Sequence, residues 1–167
     1  GPLEILVTVD EETGLTGAMQ LDPSIVKGRR LLNLDTEELG AIYIGCSGGG
    51  NTELSIPVTR EAASSGARVF EVRVTGLRGG HSGLEIALQR GNAVQALARC
   101  IRSAPNAAQA RIVRLEGGSA HNAIPREAFA VVAVAASAAD AFERAVRAES
   151  AAISAELGAA DPELTVS

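Results

Sequence analysis

The 167 residues are enough for one domain or one and a half, and an apolar fraction of 46% argues against wholesale disorder. The net charge is -5 and the basic residues are scattered, which disfavours nucleic-acid binding, while the absence of a long apolar run or a signal peptide predicts no membrane partner. Cys46 and Cys100 are too few and too far apart for a disulfide scaffold, so two reduced thiols in a cytoplasmic protein are expected.

The first third of the chain is predicted to contain three short apolar strands separated by turns. These strands are residues 3–9, Arg30–Leu34 and Ala41–Cys46. A short helix or turn is expected over Thr13–Gln20, and another turn opens at Pro23. The glycine run after the third strand lacks the Lys and Ser or Thr of a phosphate-binding loop, so no nucleotide role is assigned to it.

The pattern of the later part of the chain predicts a ferredoxin-like βαββαβ unit. The expected fold class is therefore α/β, of the α+β type. Ala67–Leu77 alternates as a half-buried strand. The two predicted helices carry apolar stripes, the first ending before Pro105 and the second opening at Ser137 and Asp140 and closing at Gly158. The stripes are Val94, Leu97, Ala98 and Ile101, then Phe142, Val146, Ile153 and Leu157. The other strands are Ala110–Glu116, Ala128–Ala136 and Leu164–Val166.

The chain is predicted to be a fragment of a longer protein, because it begins and ends inside predicted strands. A compact domain with strands at both termini would give the same pattern.

Carboxylates follow two of the predicted strands. Asp10-Glu11-Glu12 comes directly after the first strand, and Asp35 comes directly after the second, with Glu37 and Glu38 behind it. Adjacent carboxylates repel one another, and a divalent metal would relieve that repulsion while a neighbouring carboxylate served as general base. A solvated acidic turn is the alternative. A catalytic zinc normally takes at least one His, and none lies near these carboxylates in sequence. Either the site is completed by ligands from elsewhere, or the metal is not zinc.

Both histidines of the chain lie in its later part. His81 is framed by glycines in Gly79-Gly80-His81-Ser82-Gly83, between a strand and a helix, and such an imidazole can stabilise an oxyanion or hold a carboxylate. His121 and Asn122 precede a predicted strand, where an ordinary turn before Pro125 explains them equally well.

Five segments in series resemble the aminoacyl-histidine dipeptidases, which belong to a clan of dinuclear-zinc metallopeptidases with carnosinases, carboxypeptidase G and succinyl-diaminopimelate desuccinylase. The order and spacing of the segments match over nearly the whole chain. They are Val9–Ala18 (DEExGxxGA), Asn33–Glu38 (NxD[ST]EE), Ile44–Gly49, Gly76–Gly83 (GLxGGHSG) and Asn122–Phe129.

The resemblance implies a division into catalytic and lid domains. Residues 1–46 would be part of a zinc-exopeptidase catalytic sheet, 47–66 a linker, and 67–167 the first half of a lid that also makes a homodimer. Glu12 and Asp35 would then be metal ligands, Glu11 the general base, and His81 and Asn122 substrate-binding residues. A His from an HxD motif, a bridging Asp and a late His have no counterpart in this chain, and His121 departs from the pattern and receives no role.

Two functions are therefore expected. The parent protein would use two Zn²⁺ ions per complete site to hydrolyse Xaa-His and related dipeptides with metal-activated water, while the fragment itself would be inactive. The alternative is a non-catalytic ferredoxin-like dimerisation module.

Overall fold

The computed structural model describes residues 3–35, 38–46, 48–104 and 110–167. The chain forms two compact units, residues 1–50 and residues 51–167. Thr36, Glu37, Ser47 and Pro105, on which some of the sequence predictions fall, lie outside the described residues.

The first unit consists of turns and extended segments. Its regular elements among the described residues are helix α1 (Thr16–Met19) and a single 3-10 turn at Pro23–Ile25, both close to predicted turns. The predicted strands over 3–9, Arg30–Leu34 and Ala41–Cys46 are wrong, since no described residue of these segments belongs to a strand. Their extended backbone pairs with no neighbouring strand of the described chain.

The failure of those strand predictions has a physical cause. A strand is defined by hydrogen bonds to a partner, and an apolar run has nothing to pair with unless other strands of the sheet are present. The apolar side chains of the first unit are largely exposed, at 84% for Leu3, Ile5 and Val7. The sequence pattern of a buried strand is thus present without its burial.

The second unit contains a four-stranded antiparallel sheet. Its strands are β1 (Arg68–Thr75), β3 (Ala110–Gly117), β5 (Ala128–Val134) and β6 (Thr165–Val166), in the order β3-β5-β1-β6. Strands β2 (Gly80–His81) and β4 (Ala123–Ile124) form a separate two-stranded sheet. Along the chain, the main sheet and its two long helices give βαββαβ, which confirms the predicted ferredoxin-like unit and its pairing of β1 with β5.

Helix α2 (Ala93–Arg102) packs against the sheet through a face that is rich in small side chains. The buried residues are Ala93, Ala96, Leu97, Cys100 and Ile101, so the buried face is shifted towards Ala96 and Cys100 relative to the predicted stripe. The helix begins at Asn92, whose side chain accepts hydrogen bonds from the Val94 and Gln95 amides, as a capping residue does.

Helix α3 (Ala139–Leu157) lies beside α2 and completes the core. Phe142 and Ile153 are buried, and Val146 and Leu157 pack against the same cluster, which confirms the predicted stripe. The predicted cap is wrong, because a 3-10 turn (Ala136–Ala138) precedes the helix and Ala138 stands at the cap without a side-chain hydrogen bond. Arg99 of α2 pairs with Glu149 and Glu156 of α3, at 3.0 and 2.8 Å.

The core between sheet and helices is built almost wholly from small and aliphatic side chains. Ala128, Ala130, Val132 and Val134 alternate along β5 and all face it. The aromatic contribution is Phe142, with Phe70 at a ring distance of 5.2 Å. Among the described residues, no helix is both long and apolar enough to cross a membrane.

Candidate functional site

The small sheet of the second unit brings His81 and Asn122 together. His81 of β2 lies opposite Ala123 of β4, and the Ser82 amide donates to the Asn122 carbonyl at 2.8 Å. Both side chains are exposed at the edge of this pairing. Two residues 41 positions apart in sequence, one on β2 and the other in the turn directly before β4, are therefore held side by side by backbone hydrogen bonds.

The imidazole of His81 has a defined orientation. Its Nδ1 accepts hydrogen bonds from the Gly83 and Leu84 amides, at 3.1 and 3.2 Å. In a neutral imidazole one nitrogen carries the proton and the other accepts, so Nδ1 is the acceptor and Nε2 carries the proton. An exposed Nε2–H is suited to donate to a carboxylate or an oxyanion and unsuited to bind a metal until it loses that proton.

An ion pair lies behind the His81 backbone. The Glu85 carboxylate accepts from the His81 amide at 2.7 Å and pairs with Arg90 at 2.8 Å. Arg90 also donates to the Gly79 carbonyl at 2.6 Å. The hydrogen bond from the His81 amide, helped by the charge of Arg90, lowers the pKa of Glu85, although desolvation acts in the opposite direction.

The two glycines before His81 are required by close contacts with neighbouring side chains. Gly80 has φ +136°, and a Cβ there would lie 2.4 Å from a Glu85 oxygen and 2.6 Å from an Arg90 nitrogen. Gly79 has φ +64°, and a Cβ there would lie 2.3 Å from Cγ of the Arg126 side chain. The close approach expected from the glycine frame is therefore made by side chains of the protein itself.

Asp161 anchors the same loop and was missed by the sequence reasoning. Its fully buried carboxylate accepts from the Arg78 amide at 2.8 Å and from the Gly91 amide at 2.6 Å. It thus joins the start of the glycine loop to the segment that leads into α2. An isolated Asp-Pro after a helix carries no sequence signal for such a long-range role.

The acidic segment of the first unit forms a turn. Asp10 adopts φ 58°, its carbonyl accepts from the Leu15 amide at 2.9 Å, and its carboxylate accepts from the Thr16 hydroxyl at 2.8 Å. Glu11 and Glu12 follow it with exposed side chains. Asp35 is also exposed, and its amide donates to the Asn33 side chain at 3.1 Å.

The described part of the chain does not assemble a metal centre. No three His, Cys, Asp or Glu side chains of the described residues lie close enough together to hold an ion. Carboxylates such as Glu12 and Asp35 are suitable ligands by type, but zinc sites normally use three or more protein ligands, including His or Cys. The residues present therefore do not fit a zinc ion by themselves.

The chain belongs to the family of the peptidase dimerisation domain, whose model matches residues 63–161. Over 146 residues, 87% of this chain, it is 42% identical to the cytosol non-specific dipeptidase of Escherichia coli, and it covers 30% of that protein. Its fold matches the aminoacylhistidine dipeptidase of Vibrio alginolyticus with a TM-score of 0.77 and 34% identity, over 96% of this chain and 33% of that one.

These comparisons confirm the resemblance found in the five segments. The chain spans about a third of the length of these relatives. The family model begins at residue 63 and covers the ferredoxin-like unit from β1 through α3.

Proposed function

We propose that this chain is part of a cytoplasmic, zinc-dependent dipeptidase that hydrolyses Xaa-His and related dipeptides. Residues 1–46 would belong to its catalytic domain and residues 67–167 to its lid, joined by a linker over 47–66. The proposal is carried by His81, whose Nδ1 is occupied by two backbone amides so that Nε2–H is left to donate outward. The names of the two relatives, a cytosol dipeptidase and an aminoacylhistidine dipeptidase, supply the reaction class.

The exposed apolar segments of the first unit support membership of a larger protein. Leu31, Leu32 and Leu34 are exposed by 82–92%, although their pattern is that of a buried strand. Surface apolar residues in contiguous runs are characteristic of segments that pack against a partner. Further strands of a catalytic sheet would cover them.

The proposed roles divide between the two units. Glu12 and Asp35 would bind zinc together with ligands outside this chain. Glu11 would accept a proton from the attacking water, and His81 and Asn122 would hold the substrate or the oxyanion that develops on it.

Site-directed variants of a full-length protein containing this chain test these roles. Glu11→Gln should lower kcat by about 10²–10⁴-fold with the zinc content unchanged, the range for loss of a general base. Glu12→Gln and Asp35→Asn should instead lower the zinc content. His81→Gln should lower kcat by about 10²–10³-fold, as for loss of one oxyanion donor. His121→Gln, beside Asn122 but without an assigned role, is the matched control, and an equal loss there would contradict the assignment.

The chain by itself should be inactive and bind zinc weakly, because two carboxylates supply an incomplete set of ligands. Calorimetric zinc titration and a dipeptide hydrolysis assay on the 167-residue chain test this. Tight binding of two ions per chain, or turnover abolished by Glu11→Gln, would show that the chain completes the site alone or with a second copy.

A second function, homodimerisation through the lid, is favoured by strand β3. This strand lies at the end of the sheet and is exposed along nearly its whole length. Ile112 lies opposite Val132 and Leu115 opposite Ala130, so both face the helix-covered side of the sheet, yet both remain about half exposed. A strand at the end of a sheet with an apolar border is suited to pair with the same edge of a second copy.

Sedimentation of the chain tests the dimer. A double variant with Ile112→Lys and Leu115→Lys should shift a dimer to monomer, because two like charges would meet across a symmetric edge. Ala152→Lys, on the exposed face of α3, adds a charge away from the edge and should leave the dimer intact. A wild-type chain that stays monomeric at all concentrations would contradict the proposal for the chain alone.

A further inference from the structure

The turn that carries His81 is closed by reciprocal bonds between His81 and Glu85. The Glu85 amide donates to the His81 carbonyl at 2.9 Å, and the His81 amide donates to the Glu85 carboxylate at 2.7 Å. The two amides that bond Nδ1 of the ring, those of Gly83 and Leu84, lie inside this closed segment. The orientation of the imidazole therefore depends on the turn staying closed.

The closure depends in turn on Arg90. One oxygen of Glu85 binds the His81 amide and the other lies 2.8 Å from Arg90 Nη1. Arg90 also donates to the Gly79 carbonyl at 2.6 Å, so the guanidinium links the carboxylate to the backbone two residues before His81. The Glu85 and Arg90 side chains are only 35% and 21% exposed, whereas the side chains of the Glu71–Arg73 and Arg114–Glu116 pairs are 49–67% exposed. A half-buried, charge-assisted hydrogen bond holds geometry better than an exposed pair.

We infer that the Glu85–Arg90 pair is a positioning device that fixes the turn of His81 and thereby holds its imidazole as the Nε2–H tautomer. Neither residue touches substrate in this role, and both act through the backbone amides that bind Nδ1. The value of the tautomer to catalysis rests on the proposed function, because it presents a proton donor to the dipeptide. The positioning itself is a property of this chain and can be measured without any peptidase activity.

The chain has only two histidines, which makes the imidazole nitrogens directly observable. Long-range ¹H–¹⁵N spectra are recorded on the 167-residue chain at about pH 8.5, well above the ordinary pKa of histidine. His121→Gln assigns the two sets of signals. In the wild type, the nitrogens of His81 should show the widely separated ¹⁵N shifts of a single tautomer, with the proton on Nε2.

Two variants break the Glu85–Arg90 pair, each by replacing one of its two residues. Glu85→Ala removes the acceptor of the His81 amide, and Arg90→Met keeps an unbranched stem but loses the charge and the bond to Gly79. Both should bring the two ¹⁵N shifts of His81 towards each other, as the tautomers mix, while the His121 signals stay in place. Glu71→Gln breaks the exposed Glu71–Arg73 pair and is the matched control, with no change expected at His81.

Three results would overturn the inference. The first is a mixture of tautomers at His81 in the wild type, and the second is an unchanged tautomer in both variants. The third is loss of the dispersed amide spectrum in both variants, because the pair would then support the whole unit and not this turn. A failed dipeptidase assay on the full-length protein would leave the tautomer result standing, so the two proposals fail separately.

Discussion

Single side chains decide how the loops of the second unit are held. Asp161 is the clearest case, since one buried carboxylate satisfies the amides of two segments that are far apart in sequence. An unsatisfied buried amide is costly, and a carboxylate that accepts two of them is worth more than an exposed ion pair. A residue that anchors this loop is therefore neither a histidine nor part of a recognisable motif.

Replacing Asp161 by Ala should lower the free energy of unfolding by about 2–4 kcal/mol, because the Arg78 and Gly91 amides lose their acceptor. Urea denaturation followed by circular dichroism measures the change. Glu163→Ala, two residues further on and exposed, should fall within about 0.5 kcal/mol of the wild type. Equal effects of the two substitutions would contradict the anchoring role.

The two cysteines should differ sharply in reactivity. Burial, mainly by desolvation, raises the pKa of the Cys100 thiol from 9.0 to about 11, whereas Cys46 is exposed. At about pH 8, one thiol per native chain should react quickly with a maleimide or a disulfide reagent and the second only on unfolding, since the thiolate is the nucleophile. Cys46→Ser should abolish the fast phase. A fast phase that survives this substitution would contradict the assignment.

The raised pKa of Cys100 predicts that the free energy of unfolding falls at high pH. The folded state holds the Cys100 proton more tightly than the unfolded state, so its contribution is fully present below pH 9.0 and is lost as the pH rises towards about 11. The loss amounts to roughly 2–3 kcal/mol over that interval. A Cys100→Ala chain should lack this part of the alkaline loss.

At the scale of elements, helix α2 is held by close contact with the sheet. Its buried face alternates alanines with Leu97, Cys100 and Ile101, and β5 presents Ala128 and Ala130 to it. Small side chains on both surfaces let the backbones approach closely.

Leu97→Ala should therefore lower the free energy of unfolding by about 2–5 kcal/mol, as for other fully buried leucines. Thermal or urea unfolding measures it. Gln95→Ala, on the exposed side of the same helix, is the matched control and should change stability by no more than about 0.5 kcal/mol. A small loss for Leu97→Ala would show that neighbouring alanines allow the core to collapse around the cavity.

At the scale of the whole molecule, the two units differ in how they are stabilised. The second has a continuous apolar core and two sheets, while the described residues of the first have turns, local hydrogen bonds and exposed leucines and isoleucines. Among the described residues of the first unit, hydrogen bonds join near neighbours, apart from Glu4, which accepts from the Lys27 and Gly28 amides at 2.9 and 2.8 Å.

Hydrogen exchange measured by mass spectrometry should separate the two units. In the 167-residue chain, peptides from residues 3–35 should exchange with little protection, whereas those from β1, α2, β5 and α3 should exchange slowly. If the proposed function holds, the same segments of the first unit should gain protection in a full-length protein, where further strands would pair with them. Strong protection of residues 30–34 in the chain alone would contradict the assigned difference.

The sequence by itself determined the ferredoxin-like unit, and it named His81 and Asn122 as candidates for the site. The alternation along β1 and the apolar stripe of α3 are local sequence patterns. Both predictions are confirmed because the residues that bury these side chains belong to the same unit. The described residues of the first unit leave their apolar runs exposed and without a partner strand, and so the same kind of pattern gave strands that do not form.

Only the tertiary structure decided how His81 is presented. The proximity of Asn122, the acceptor role of Nδ1 and the ion pair of Glu85 with Arg90 are contacts between side chains and backbone in three dimensions. Sequence spacing names the residue that can donate a proton, while the nitrogen that carries it is fixed by hydrogen bonds that spacing does not encode.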